Sequence, residues 1–478
     1  MKNCLNHKPG PRGVRNQRQT PLKTTLKTIL TPCMAALGMT VWATPSLGAT
    51  GLTDVYQMAV THDAQLAQAR AQFEADRRVI EIQRAPLLPQ VSAEADVTRQ
   101  DSDIQGRDNT RRQLGVSVTQ TLYRKDQFVQ YDQATDRLQQ ARYALQEAEQ
   151  GVIERVTDAY FKVLLALEDV RLAQARESSD KTQWERAQAS AEVGLASKTD
   201  VLQAKSSFDL SRSQRISAEN DLDVAKEELM KLTGQPIDDL KEIRLDTRLS
   251  MQPVEVVTWE QKAESNNLSV LQSEQAASVA AKSIEIQQSG HWVNVDLRGQ
   301  YQHQAFGGYE QAYAQSYPNA NAFSVGVYAS LPLYSGGGTS AKVAQARANH
   351  QAANQALRNA QESARLNARV QARNLERGLE LVRANRAAVA SNDAFLEAAE
   401  EGYKVGLRNL LEVLTARTNM FQARRNLAES LHNVVLSRLR LEAAAGTLTP
   451  DTLQRFERLL SEPRKETVPA VTLDDTPA

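Results

Sequence analysis

Apolar residues follow two rhythms along this chain, and the pair of rhythms occurs twice. Between about Arg124 and Glu192 an apolar stripe runs Val152, Val156, Tyr160, Leu164, Leu167, close to the 3.6-residue period of a helix face. Just upstream the period drops to two. Val91, Ala93, Ala95 and Val97 alternate with Ser92, Glu94, Asp96 and Thr98, and Leu114, Val116 and Val118 alternate with Gln113, Gly115, Ser117 and Thr119. The second half does the same with Val293, Val295 and Leu297, then with Val325, Val327, Ala329 and Leu331. The patterns predict four strands in two hairpins, each long enough to cross a bilayer at a tilt.

Proline placement marks where helix can run unbroken. None lies between Pro89 and Pro236 or between Pro332 and Pro450. Within these gaps the sequence predicts long helices from Arg124 to about Glu192 and from Gly337 to about Tyr403. Each would reach roughly 100 Å at about 1.5 Å per residue. A second helix follows each, about Thr199–Leu232 and Asn409–Ala444, ending near Gly234 and Gly446, where a C-terminal cap belongs. Two shorter helices, about Leu52–Ala85 and Thr258–Ser289, open the two halves.

The halves are copies. Ile80-Glu81-Ile82-Gln83 returns as Ile284-Glu285-Ile286-Gln287 at an offset of 204, whereas Leu114-Gly115-Val116 returns as Val325-Gly326-Val327 at 211. Val193-Gly194-Leu195 returns as Val405-Gly406-Leu407 at 212. The jump in offset places an insertion between the strands of the second hairpin, in the loop Ala305–Ala322, where the first hairpin has the shorter Asp101–Arg112. The expected organisation is a signal peptide over 1–49, a first repeat over 50–257, a second over 258–449, and a C-terminal segment over 450–478 with a disordered tail after Pro463.

Composition removes several function classes. Lys plus Arg and Asp plus Glu both total 57, so no net field favours nucleic acid. Cys4 and Cys33 are the only cysteines, which excludes a disulfide or thiolate metal site in the rest of the chain. The first 49 residues carry a basic stretch from Lys2 to Lys27 and an apolar run from Ile29 to Trp42, the pattern of an export signal. Leu30-Thr31-Pro32 before Cys33 does not fit a lipid-anchor cleavage box. No later apolar run reaches the roughly 18 residues a membrane helix needs. The six histidines, at positions 7, 62, 291, 303, 350 and 432, show no ligand spacing, and Gly336-Gly337-Gly338 lacks the lysine of a phosphate loop. No catalytic set, metal site or cofactor is expected.

The order helix, hairpin, long helix, Val-Gly-Leu turn, helix, twice over, resembles the TolC family of outer-membrane channel-tunnels across about Leu52–Leu460. The most specific stretch is Glu401-Gly402-Tyr403-Lys404-Val405-Gly406-Leu407-Arg408 with Leu410-Leu411-Glu412-Val413-Leu414. The resemblance implies a homotrimer, with a membrane β-barrel of four strands per protomer set in outer-membrane lipid and a long α-helical barrel crossing the periplasm. Residues Gln235–Val257 and the segment from Pro450 would form a belt around its middle. It implies a passive exit duct for secretion or efflux, not an enzyme, working with a periplasmic adaptor and an inner-membrane ABC or proton-driven transporter. The Val193-Gly194-Leu195 and Val405-Gly406-Leu407 turns would dock the adaptor. Thr199, Asp200, Tyr403, Arg408 and Glu412 match the family's periplasmic gate, with an Arg408–Asp200 link across the coils. Thr415 stands where the family has a second acidic residue, which leaves one carboxylate ring. The competing readings are a periplasmic adaptor, which would show one helical hairpin and not two, and a soluble coiled-coil scaffold, which would show no alternating strands.

Overall fold

The computed structural model describes residues 49–101, 103, 109–244, 255–307, 319–458 and 460–461. The predicted signal peptide (all but its last residue), the inserted loop's centre and the C-terminal tail lie outside them. In chain order the elements are α1 (Leu52–His62), α2 (Ala64–Arg77), α3 (Val79–Arg84), β1 (Gln90–Gln100), β2 (Asn109–Tyr123), α4 (Lys125–Glu192) and α5 (Lys198–Thr233). The second half gives α6 (Val256–Asn266), α7 (Leu268–Gln288), β3 (Asn294–Gly307), β4 (Ala320–Ser330), α8 (Gly338–Lys404), α9 (Leu410–Ala444) and α10 (Pro450–Glu457). The two long helices run 68 and 67 residues, matching the helices expected within the proline gaps.

The opening helices depart from expectation because each is broken. The Asp63 carboxylate accepts from Leu66 N at 2.6 Å and starts α2, and the Asn267 side chain accepts from Ser269 and Val270 amides and starts α7. Both caps sit at the same repeat position, offset 204. A short polar residue that captures the next helix's free amides ends one helix and begins another without proline or glycine. A further break at Arg78, between α2 and α3, has no equivalent in the second copy.

The four strands form the two expected hairpins, β1–β2 and β3–β4, and these join side by side. They pair as one antiparallel sheet in the order β1-β2-β3-β4, with β2 joined to β3 from Thr110–Gly307 to Tyr123–Val295. The strands also extend further towards the loops than the alternation marks, β2 starting at Asn109 and β4 at Ala320. The register aligns Val91 with Val118, Val118 with Gly299 and Gly299 with Val325, and it aligns Ala93, Val116, Tyr301 and Phe323. One face is therefore apolar over its central rows, and the other carries Ser92, Glu94, Ser117, Gln300 and Ser324.

Near the sheet, α4 is flanked by α2, α3 and α7, and α7 by α8. Away from it the order is α5, α4, α9, α8. The main core lies where these arrangements meet. There Leu52, Val55, Val152, Val156, Tyr160, Leu431, Val434, Leu439 and Leu453 are buried together. Each such side chain contributes about 1.5–3 kcal/mol. The Tyr160 hydroxyl donates to Lys241 O at 2.7 Å, and Thr50 bridges to Leu240 and Glu242 to Ser461. Lys241 pairs with Glu457 at 3.0 Å. Thr50, Glu457 and Ser461 are thus tied to the inter-repeat segment around the middle of the long helices.

Candidate functional site: the two helical tips

At the end of the helices far from the sheet, both repeats turn through the same geometry. Gly194 and Gly406 take φ of 79° and 75°, a left-handed conformation that side chains resist. Leu195 N donates to Ser190 O and Leu407 N to Gly402 O, each at 2.8 Å, the closing bond of a Schellman cap. A Cβ on either glycine would meet nothing within 4 Å. The glycines are therefore required by backbone conformation, and the space over them is open. Leu195 and Leu407 stand 83% and 82% exposed, with Val193 and Val405 beside them at 70% and 69%.

The helices that leave the tips begin with matching caps. Ser197 Oγ accepts from Asp200 N at 3.1 Å, and Asn409 Oδ1 accepts from Glu412 N at 2.9 Å. Asp200 completes its box by accepting from Ser197 N and Ser197 Oγ, which holds its carboxyl below the usual range. Asp200 and Glu412 are the same repeat position, yet they are used differently. The first repeat has Ala196 where the second has Arg408, and Arg408 Nη1 reaches Glu412 Oε2 at 2.5 Å. The Arg408 stem lies across Gly402, where a Cβ would come within 2.6 Å of its Cγ.

Within one chain the predicted gate residues thus form two local groups. Asp200 binds Ser197, Arg408 binds Glu412, and Thr199 is exposed on the first turn of α5. The expected Arg408–Asp200 link is not a contact inside a single chain. The two repeats meet at the tips through apolar groups. Leu410 and Leu414 of α9 pack on Ala187 of α4 and Ala204 of α5, with Trp184, Val201 and Tyr403 against them. Trp184 and Phe208 stack at 5.5 Å behind this cluster.

Sequence reasoning missed the polar seam above the cluster. Arg176 Nη2 donates to Thr418 Oγ1 at 3.2 Å, Arg417 Nη1 to Ser179 O at 3.3 Å, and Arg425 Nε to Asp169 Oδ1 at 2.8 Å. Farther from the tips Arg440 pairs with Asp158 at 3.0 Å. Thr418, Arg425 and His432 are spaced by seven, as are Asp169 and Arg176 opposite them. That heptad signal was present in the sequence and marks an antiparallel seam.

The sheet is the other functional surface. Val91, Val97, Phe323, Val325 and Val327 are between 61% and 75% exposed on its apolar face. No helix among the described residues is long and apolar enough to cross a membrane. An apolar antiparallel face at one end of a long helical body is the form a barrel segment takes.

Comparison with known proteins agrees. Residues 55–235 and 259–447 both match the family described as outer membrane efflux protein, so the two repeats match separately. The outer membrane protein TolC of Vibrio cholerae is 31% identical over 431 residues, covering 90% of this chain and 96% of that protein. The proteases secretion protein PrtF of Dickeya chrysanthemi is 26% identical over 425 residues, covering 86% and 91%. The crystal structure of the outer membrane protein VceC from Vibrio cholerae superposes with a TM-score of 0.70 at 18% identity, over 83% of this chain and 96% of that one. The family places the sheet in the outer membrane and the helices in the periplasm, and its members are transport channels without enzymatic activity. With two matched repeats, one four-stranded sheet and two paired helical tips, the chain belongs to the outer membrane efflux protein family.

Proposed function

We propose that this chain is the exit duct of a tripartite export system, a homotrimer whose twelve strands close one barrel and whose helices form a periplasmic tunnel. The open sheet supports trimerisation, because β1 and β4 leave unpaired edges that copies of the chain satisfy. The duct rests closed at the tips and opens when a periplasmic adaptor, carried by an inner-membrane ABC or proton-driven transporter, binds Val193-Gly194-Leu195 and Val405-Gly406-Leu407.

The observation that carries the docking role is the matched pair of exposed leucines on left-handed glycine turns. An apolar side chain held more than 80% exposed on a rigid cap, twice and in identical geometry, fits a partner's apolar groove. Gate control follows from Arg408. It is held by Glu412 within one chain, and a neighbour's or the other repeat's carboxylate, Asp200, competes for it in the assembled ring. Tyr403 supports the inner helix pair from the apolar cluster, and Thr199 lies beside Asp200 on the facing turn. Cargo is assigned to export in general. PrtF is named for protease secretion, which supports protein cargo as one class.

The test is export in cells carrying Leu195→Asp and Leu407→Asp together. Transport should be lost while the protein remains trimeric and in the outer membrane. Wild-type export from the double variant would move adaptor docking away from the tips.

A further inference from the structure

The apolar face of the sheet ends in a pair of arginines. Outward positions follow the register Val91, Ala93, Ala95, Val97, Arg99 on β1 and Val118, Val116, Leu114, Arg112 on β2. On β3 and β4 the same face carries Val295, Leu297, Gly299, Tyr301, His303 and Asn321, Phe323, Val325, Val327, Ala329. Among the described strand residues, Arg99 and Arg112 are the only arginines or lysines with this phase. Both lie at the hairpin end, away from the helices. Since the helices enter the periplasm, that end reaches the outer leaflet.

Their depth can be read from the ladder. Arg112 pairs with Ala305, ten residues along β3 from Val295. At about 3.3 Å per residue and a tilt of about 40°, that span rises roughly 25 Å, the height of the apolar band of an outer-membrane barrel. The opposite margin is marked by Trp292, just before β3, with the Lys125 ammonium 4.5 Å from its ring centroid. An aromatic–cationic margin at one interface and two guanidinium groups at the other bracket one bilayer core.

The two arginines are diagonal neighbours, Arg99 standing opposite Thr110 and Arg112 opposite Val97. Arg99 Nε reaches Asp101 at 2.9 Å with both side chains more than 70% exposed. Arg112 is exposed, and no carboxylate of the described residues pairs with it. The next residue gives the contrast. Arg111 points to the polar face and meets Asp96 at 3.5 Å. The inward arginine thus has its anion across the polar face, whereas Arg112, on the lipid phase, meets no carboxylate among the described residues. A guanidinium fork binds phosphate oxygens in pairs, which a lysine in that place would not do.

From this we infer that Arg99 and Arg112 form a phosphate-binding site for the phosphorylated glycolipid of the outer leaflet. The inference rests on the outer-membrane placement of the sheet and is independent of cargo, gate and adaptor.

The test uses full-length protein extracted from outer membranes, delipidated in detergent, and offered bis-phosphorylated lipid A, its dephosphorylated form, or phosphatidylglycerol. Bound lipid is counted by native mass spectrometry. The wild type should retain phosphorylated lipid A about tenfold more than the dephosphorylated form, the scale of one to two charge-assisted hydrogen bonds. Arg99→Gln with Arg112→Gln should abolish that preference, and Arg111→Gln should keep it. Circular dichroism and outer-membrane fractionation of each variant separate lost lipid binding from lost folding or insertion. Equal retention of the two lipid A forms by the wild type, or an unchanged preference in the double variant, would overturn the site. Equal retention of phosphatidylglycerol would overturn the choice of glycolipid.

Discussion

Arg408, just before the Asn409 cap of α9, and Glu412, on the first turn of that helix, form an ion pair at 2.5 Å, so the cation expected to reach across to the first repeat is already held inside its own. The pair is exposed, 51% and 36% at the two side chains, and such pairs contribute about 0–1 kcal/mol. A contact of that strength is readily exchanged for Asp200 of a facing tip, as the proposed gate requires.

Glu412→Ala therefore acts twice. In the proposed closed duct it removes the carboxylate ring at the constriction and frees Arg408 for Asp200. Block of single channels by divalent cations should weaken by about tenfold or more in planar bilayers. Conductance should not increase, because the released arginine strengthens the cross-repeat link. Unchanged divalent block would place the anionic ring elsewhere, with Asp200 the first candidate.

The lipid face gives a second prediction. Arg at Val116 or Val327 should reduce outer-membrane insertion, since a charge near the bilayer midplane costs about 2–4 kcal/mol. Arg at Ser117 or Ser324, on the opposite phase of the same strands, should insert normally. Heat-modified gel mobility and membrane fractionation report the outcome, and equal loss at both pairs would contradict the register.

Asp63 is buried, caps α2 through Leu66 N and accepts from Arg155 Nη2 at 3.0 Å. Asp63→Ala should lower stability by about 3–5 kcal/mol, because it removes a cap and strands a half-buried arginine. Asn267→Ala, at the equivalent position without such a partner cation, should cost only about 1 kcal/mol. Thermal melting in detergent measures both, and similar losses would mean that the caps alone carry the effect.

His432 supplies a pH dependence. Burial beside Phe161, 5.4 Å away ring to ring, lowers its imidazole from the ordinary 6.5 to about 4. The folded chain keeps the ring neutral while the unfolded chain takes up a proton below about 6.5, so stability falls as pH drops from about 6.5 towards about 4. The loss is on the order of 3 kcal/mol at the acid end of that window. His432→Leu should melt close to the wild type at pH 7.5 and above it at pH 4.5. Parallel pH profiles would show that His432 is hydrated or paired in the folded protein.

Long-range order was legible in the sequence where one period dominates. Proline-free stretches left room for α4 and α8, the runs of helix formers ending at the Val-Gly-Leu turns bounded them to within a residue or two, and the alternation of Val91–Val97 and Val325–Ala329 gave the apolar phase of the sheet because successive side chains point to opposite faces of a strand. The breaks at Asp63 and Asn267 were hidden because the helix formers on either side continue, and only a side-chain hydrogen bond ends the helix. The β2–β3 pairing was invisible because it joins residues nearly 200 positions apart. At the tips the glycine turns were readable from the motif, whereas the partner of Arg408 was not. Its choice of Glu412 depends on the stem folding over Gly402, a contact that spacing alone does not specify.

The central claim, a passive duct held shut at its tips, is tested most directly by single-channel recording of the purified protein in planar bilayers. The wild type should show a small, steady conductance. Tyr403→Phe with Arg408→Ser, which removes the phenol and the cation from the closing contacts, should raise it several-fold, with the barrel and trimer unchanged. Absence of any channel current from the wild type, or a double variant with wild-type conductance, would contradict the account.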